Sequence, residues 1–408
     1  MAPLLGCIAT KTPFFYGWII VIQAIVYNCS IHFGNLFINM LTMARVYDDF
    51  DAQGVLRSSV SLMWMFGSIG ASFGTPFYGM AIDRWGARTM VPVGLIGLAC
   101  AMWTLASAGA HPPTFYLLPL AFFMMRSCAN GMVSPFSQNV TNQWFDRRRG
   151  RAISMLGVSC MLISANPIFG TATAWQDALD GVGWRAAHVY GAFIPLLMAI
   201  PARLFLFSTP ESVGCTQDGD PPPPTADKTL DDEDDEEASL LSVYDDSEKS
   251  EQKERRPKIG SPRAVGSDDF TRGEALRTLP VYLLCVDKFF SAIIGAGCSQ
   301  VFMQVLKENG AVGVDIARHV VVPQGMTQAA LPLITGWLRD RGVRPKYLVA
   351  LSSFLVALAP LTATRVRTPA LAIFYGMNVG GVWGIKGTMS GMVCKMLAQY
   401  FLGLIVLA

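Results

Sequence analysis

The sequence predicts an all-α protein that crosses a membrane many times and folds as two helical bundles joined by a hydrophilic connector. Three observations carry this. First, 52% of the 408 residues are hydrophobic and only 15% are charged. The apolar residues fall in runs of about 20, the length that spans a bilayer. Second, a charged turn between apolar runs occurs twice, at Gly79–Arg88 and, 257 residues later, at Gly336–Arg344. Each copy ends its run with Gly-x-x-x-Asp-Arg and then adds a Gly and an Arg. Gln143-Trp144-Phe145 is echoed by Gln399-Tyr400-Phe401 at an offset of 256, so a unit of several helices is duplicated. Third, the middle of the chain is polar, proline-rich and acidic.

The elements follow in order. Apolar runs near 17–41, 58–82, 89–109, 115–142, 152–172 and 186–208 predict six membrane helices and an N-terminal bundle over residues 1–208. Residues 209–278 read as a disordered cytoplasmic linker. Pro221 to Pro224 cannot propagate a helix, and the run Asp231–Glu237 repels itself into an extended, solvated state. Glu236-Glu237-Ala238-Ser239-Leu240-Leu241 resembles an acidic dileucine sorting signal, although a solvated acidic run is the plainer reading. Thr271-Arg272-Gly273-Glu274 has capping-box spacing and predicts a short amphipathic helix near 271–278. A C-terminal bundle over 279–408 holds four helices, near 279–305, 319–338, 347–364 and 369–396. Leu402 to Ala408 is too short for another span, so about ten membrane helices and an incomplete second half are expected.

Orientation comes from the basic residues of the short loops. Loops after helices two, four and eight carry Arg84, Arg88, Arg147, Arg148, Arg149, Arg151, Arg339, Arg341, Arg344 and Lys346, more than the odd-numbered loops hold. The positive-inside tendency therefore places the N-terminus in the cytoplasm. A net charge of +2 hides an acidic linker and basic turns, and it argues for no nucleic-acid partner. The nine cysteines are scattered without a CxxC, so they read as packing residues and neither a disulfide frame nor a metal site. No nucleophile–base pair, phosphate loop or cofactor motif stands out, and the protein is expected not to be an enzyme.

Polar groups inside the apolar runs are the functional candidates. Helix one carries Asn28, His32, Asn35 and Asn39 at spacings of four, three and four, which puts them on one face. Helix four carries Arg126, Asn130, Ser134, Ser137 and Thr141 in the same manner. Arg126 and His32 both sit roughly 14–17 Å from the outer end of their runs, near the bilayer middle. An arginine there must face water or a partner, and its guanidinium fork suits a carboxylate. His32 can take up and release a proton near neutral pH. Lys386 in helix ten aligns with Asn130 by the internal offset and reads either as a second cationic element or as a snorkelling side chain. Asp287-Lys288 reads as a structural pair, and Gln324, Gln328 and Thr335 form a polar face on helix eight. Glycines at 376, 380, 384, 387 and 391, and at 67, 70 and 74, read as close-packing faces.

The turn Gly79-x-x-x-Asp83-Arg84-x-Gly86-x-Arg88 resembles the loop motif of the major facilitator superfamily. Phe15-Tyr16-Gly17-Trp18, Gln143 to Ala152, Gly183-Trp184-Arg185 and Glu274-Ala275-Leu276-Arg277 are similar to the monocarboxylate porter and oxalate/formate antiporter branch, over roughly 14–210 and 270–403. The resemblance implies two six-helix halves around a central cavity lined by helices one and four. It also implies a cytoplasmic gate in which Asp83 meets Arg147, Arg148 and Arg149, with Gly79, Arg84, Gly86, Arg88, Asp340 and Arg341 completing the two turns. In helix eight, Gln328 and Pro332 stand near the level where the branch carries a cation. The expected function is secondary transport of a small organic anion by alternating access in the plasma membrane or an endolysosomal one, with proton coupling and an accessory membrane protein left open. The rival reading is a transport-incompetent carrier that acts as a receptor, scaffold or regulatory partner.

Overall fold

Apolar runs interrupted by single polar residues fold here into helices, and among the described residues there is no strand. The computed structural model describes residues 15–33, 36–145, 148–159, 162, 171–213, 215–219, 282, 286, 290, 302, 305–306, 309–310, 313–341 and 343–393. All of these belong to one compact unit, and a second unit, Asp220–Asp269, lies outside them.

The first half runs α1 (Gly17–Ile31), α2 (Leu36–Ala52), α3 (Arg57–Trp85), α4 (Ala87–Ala106) and α5 (Leu117–Arg126). A π-helical segment, Ser127–Val133, leads from α5 into α6 (Ser134–Trp144). Then come α7 (Arg149–Leu156), α8 (Thr171–Gly181), α9 (Trp184–Gly191) and α10 (Phe193–Phe205). The second half has a π-helical segment, Ala317–Val321, then α11 (Val322–Asp340), α12 (Pro345–Ala363) and α13 (Pro369–Val393). Most of the span expected near 279–305, with Asp287-Lys288, lies outside the described residues.

The helical run expected to stop near residue 41 resumes as α2 and continues to Ala52. Three aspartates fall in this extension, and each has a cation. Arg57 reaches Asp48 (2.8 Å) and Asp51 (3.2 Å), and Arg185 reaches Asp49 (2.5 Å) while stacking on Trp184. Asp49 also accepts a hydrogen bond from Trp184 Nε1 (3.1 Å), and Arg45 pairs with Asp180 (2.6 Å). These contacts offset the repulsion of the carboxylates from the helix C-terminus.

Ala87–Ala106 and Trp184–Phe205 are each long and apolar enough to cross a membrane alone. Elsewhere the burial pattern shows which face meets lipid. On α3, Val60, Trp64, Ala71 and Thr75 are buried, whereas Phe66, Ile69, Phe73 and Phe77 are exposed. An exposed stripe of large apolar side chains is costly in water and suits a hydrocarbon surroundings.

Glycines let helices touch at backbone level. A Cβ at Gly67 would lie 2.8 Å from Phe123 N, and one at Gly376 or Gly380 would overlap the carbonyl oxygen of Val320 or Gln324. Gly67 and Gly70 of the predicted helix-two face thus pack on α5, whereas Gly74 meets Tyr78 of its own helix. Gly376, Gly380 and Gly384 of the helix-ten face pack on α11 and its preceding π segment; the surroundings of Gly387 and Gly391 lie outside the described residues. Gly157, which caps α7, sits against Gln328 and Pro332 of α11, so the two halves meet through a residue without a side chain.

Residues read as linker from 209 onward begin as packed chain. Two 3-10 turns, Glu211–Val213 and Gln217–Gly219, fold back under the first bundle. Trp144 Nε1 donates to Phe207 O (3.1 Å), and Phe15 rests on Trp144 and Phe145 with Gly219 against its ring. Aromatic burial and hydrogen bonding hold this stretch in spite of its polar composition. Residues 220–278, with the acidic run and the expected short helix, lie outside the described residues.

Candidate functional site

The first membrane helix and the later part of the fourth are neighbours, since α1 packs on the π segment, on α6 and on α7. Asn28 (8% exposed) and His32 (5%) are both buried at the end of α1. The Asn28 Oδ1 atom is enclosed with no hydrogen-bond partner, and Cys29 Sγ lies 3.9 Å from Ser159 O. Asn35, and the side chain of Asn39, lie outside the described residues.

Arg126 ends α5 and is half-buried, with its guanidinium carbon 5.3 Å from the Trp64 ring centroid. The π segment starts at the next residue and contains Asn130, also half-buried. Such segments recur at functional sites, because their i→i+5 bonds re-aim side chains. Here the consequence is direct. A face counted at helical spacing from Arg126 to Thr141 is broken in the middle, leaving Arg126, Asn130 and Ser134 half-buried while Ser137 and Thr141 are enclosed. Ser137 and Thr141 donate to Val133 O and Ser137 O of their own helix, each at 2.9 Å. Close packing holds the π segment on both sides. A Cβ at Gly131 would lie 2.8 Å from the Tyr78 ring, and one at Gly97 would lie 2.6 Å from Cys128 Sγ.

Across the interface, Gln328 is half-buried and its Oε1 is enclosed without a hydrogen-bond partner. Its backbone carbonyl is flanked by Gly157 of the first half and Gly384 of α13. Gln324 (4% exposed) and Thr335 (2%) are buried on the same helix. Lys386 is 3% exposed, so its side chain is enclosed and does not extend to the inner surface. It shares a helical face with the buried Tyr375, Val379 and Val382.

At the charged turn between α3 and α4, Gly86 has φ +73°, a conformation that favours glycine, and it caps both helices. Its N–H donates to Ile82 O at 2.8 Å, which makes the sharp turn the motif encodes. Gly79 has open space where a Cβ would stand. Arg84 is exposed beside Trp85, and Arg341 lies 3.8 Å over the Trp337 ring. Arg88 donates through Nε to Arg203 O (3.1 Å) and stacks on Phe207, while the backbone N–H of Arg148 donates to Asp218 (3.4 Å). Arg147 and the side chains of Asp83, Arg149 and Asp340 lie outside the described residues. Sequence reasoning passed over Trp64 and the 206–219 segment. Counting residues inward from the outer ends of helices two and four would have brought Trp64 to the level of Arg126.

Exposed apolar stripes, buried polar and cationic groups inside apolar helices, and two helical halves meeting at small residues define a multi-pass membrane protein. The profile of the Major Facilitator Superfamily matches residues 8–404, and the chain belongs to that family. Members of this superfamily are integral membrane transporters. A curated relative, the MFS-type transporter pynF of Aspergillus niger, is 30% identical over 141 residues. That match covers 34% of this chain and 30% of the relative's length. Among solved structures, the proton:xylose symporter XylE bound to 6-bromo-6-deoxy-D-glucose superposes with a TM-score of 0.55 at 14% identity, covering 96% of this chain and 85% of that one. The Escherichia coli fucose:proton symporter FucP gives 0.48 at 13%, over 95% and 88%. The likeness to XylE is one of fold.

Proposed function

We propose that the chain moves a small organic anion, of the monocarboxylate type, by alternating access, and that Arg126 binds the anionic group. The observation that carries this is a guanidinium held half-buried about 14 Å along the fourth membrane helix, where the π segment begins. A permanent charge at that depth marks a functional site by default. Asn130, Asn28, Asn35 and Gln328 are assigned to the remaining polar contacts, Lys386 to the second cationic element and His32 to proton exchange. The gate is assigned to the two charged turns and the Arg147 to Arg149 cluster. On composition, 220–278 is assigned as a solvated cytoplasmic connector, and the basic even-numbered loops put the N-terminus in the cytoplasm, with the plasma membrane as the assigned location.

Counterflow in proteoliposomes with labelled mono- and dicarboxylates tests the reading. Arg126→Gln is expected to weaken affinity about tenfold to a hundredfold, the worth of a charge-assisted contact of about 1.5–3 kcal/mol. Arg126→Lys is expected not to restore it, because a point ammonium does not reproduce the two-pronged fork. Wild-type affinity in Arg126→Gln overturns the assignment. Xylose belongs in the panel because XylE is a xylose symporter, and sugar uptake without carboxylate uptake overturns the anion reading.

A further inference from the structure

We infer that Trp64 is the positioning residue for Arg126, setting the direction of its guanidinium and acting on the substrate only through it; this rests on the anion reading above. The two side chains come from neighbouring helices that run in the same direction, Trp64 meeting Phe122 and Tyr78 meeting Gly131. Trp64 is about 10 Å inward from the start of α3, and Arg126 is about 14 Å inward from the start of α5, so they meet at one level. Gly67, one turn from Trp64 on the same face of α3, makes the meeting close. A Cβ there would stand 2.8 Å from Phe123 N and 2.9 Å from Phe122 Cβ.

Phe122 lies one turn before Arg126 on α5 and meets the indole edge-on, at 4.9 Å and 75°. The indole, 8% exposed, is therefore held by Phe122 while the Arg126 guanidinium lies over its ring at 5.3 Å. The electron-rich ring face attracts the cation, more strongly out of water than in it. Stacking engages the flat face of the guanidinium, whereas a carboxylate is recognised at its edge, so the two contacts are geometrically compatible. A long side chain already ordered by stacking loses less rotamer freedom when the anion arrives. Tryptophan at this position thus raises affinity without touching the substrate.

The test is a double-mutant cycle on transport by the full chain in proteoliposomes, at matched amounts of monodisperse carrier. Trp64→Leu is expected to raise the half-saturating carboxylate concentration about tenfold with little change in maximal rate. Trp64→Phe, which keeps a ring against Phe122, is expected to fall between wild type and Trp64→Leu. In an Arg126→Gln background, Trp64→Leu is expected to add no further loss, because a residue acting through Arg126 has nothing left to position. Additive losses, or equal losses from Phe and Leu, overturn the inference and leave Trp64 a packing residue. Loss in Arg126→Gln with none in Trp64→Leu overturns it while the anion reading stands. Wild-type affinity in Arg126→Gln with loss in Trp64→Leu removes both.

Discussion

At Gly380 a methyl group would overlap the carbonyl oxygen of Gln324 and lie 3.0 Å from its Cα, so the space is closed by backbone. One residue on, a methyl group at Gly381 would meet Leu355 Cδ1 at 3.0 Å and Leu331 Cδ1 at 3.3 Å, the far ends of flexible side chains. The two substitutions therefore separate helix propensity from packing. Alanine gains up to about 1 kcal/mol over glycine inside a helix at either position. At Gly380 the overlap forces α13 away from α11, and overpacking of this kind costs about 1–3 kcal/mol. Gly380→Ala is expected to lower the thermal midpoint in detergent and slow transport, whereas Gly381→Ala is expected to leave the midpoint within a degree or two, or raise it. Equal midpoints for the two variants would mean that the α11–α13 contact does not depend on the bare backbone.

Among the elements, the stretch after α10 behaves as part of the first bundle. Tyr16 donates to Phe205 O (3.0 Å) and Arg88 to Arg203 O at the end of α10, and Trp144 donates to Phe207 O just beyond it, where the stretch begins. Asp218 sits at φ 57°, a left-handed conformation that aspartate tolerates, and accepts from the Arg148 N–H. Trp144→Phe keeps a ring in place but leaves the Phe207 carbonyl without its buried donor, at a cost of about 1–3 kcal/mol. Cys215, within the segment and half-buried, reports the result, since burial raises its thiol above the ordinary range and slows alkylation. In a variant that keeps Cys215 and replaces the other eight cysteines, Trp144→Phe is expected to speed labelling by a membrane-impermeant maleimide applied to the face that carries the segment. An unchanged rate would show that the indole bond does not hold the segment.

Over the whole molecule, the halves touch where Gly157 meets Gln328 and Pro332, a contact with little to interlock. Small-residue contacts let helices slide, as the proposed alternating access requires. Under the proposed gate, charges at the two turns bias one state over the other. Asp83→Asn and Arg148→Ala are each expected to slow transport without loss of folded carrier. Removing an exposed charge contact of about 1 kcal/mol shifts a two-state balance roughly fivefold. Cysteine accessibility measured separately from each side of the membrane should move toward one state in both variants, and unchanged accessibility in both would remove the gate assignment.

Composition and periodicity by themselves determined that this chain is helical and membrane-spanning, because lipid tolerates few other backbone arrangements and the apolar runs have the length it demands. The Gly-x-x-x-Asp-Arg-x-Gly turn was legible for a similar reason, since Gly86 needs a backbone conformation that other residues rarely adopt. Arg126, Asn28 and His32 stood out as polar residues in an apolar run. Tertiary structure alone decided the rest. The π segment at Ser127–Val133 breaks a face that looked continuous at 3.6-residue spacing, and hydrogen-bond register is invisible to composition. The α2 extension and the docked 206–219 segment depend on partners distant in sequence, Arg57 and Arg185 for the aspartates and Trp144 for Phe207. Trp64 read as one more apolar residue of helix two, and it becomes the neighbour of Arg126 only because Gly67 lets two backbones touch.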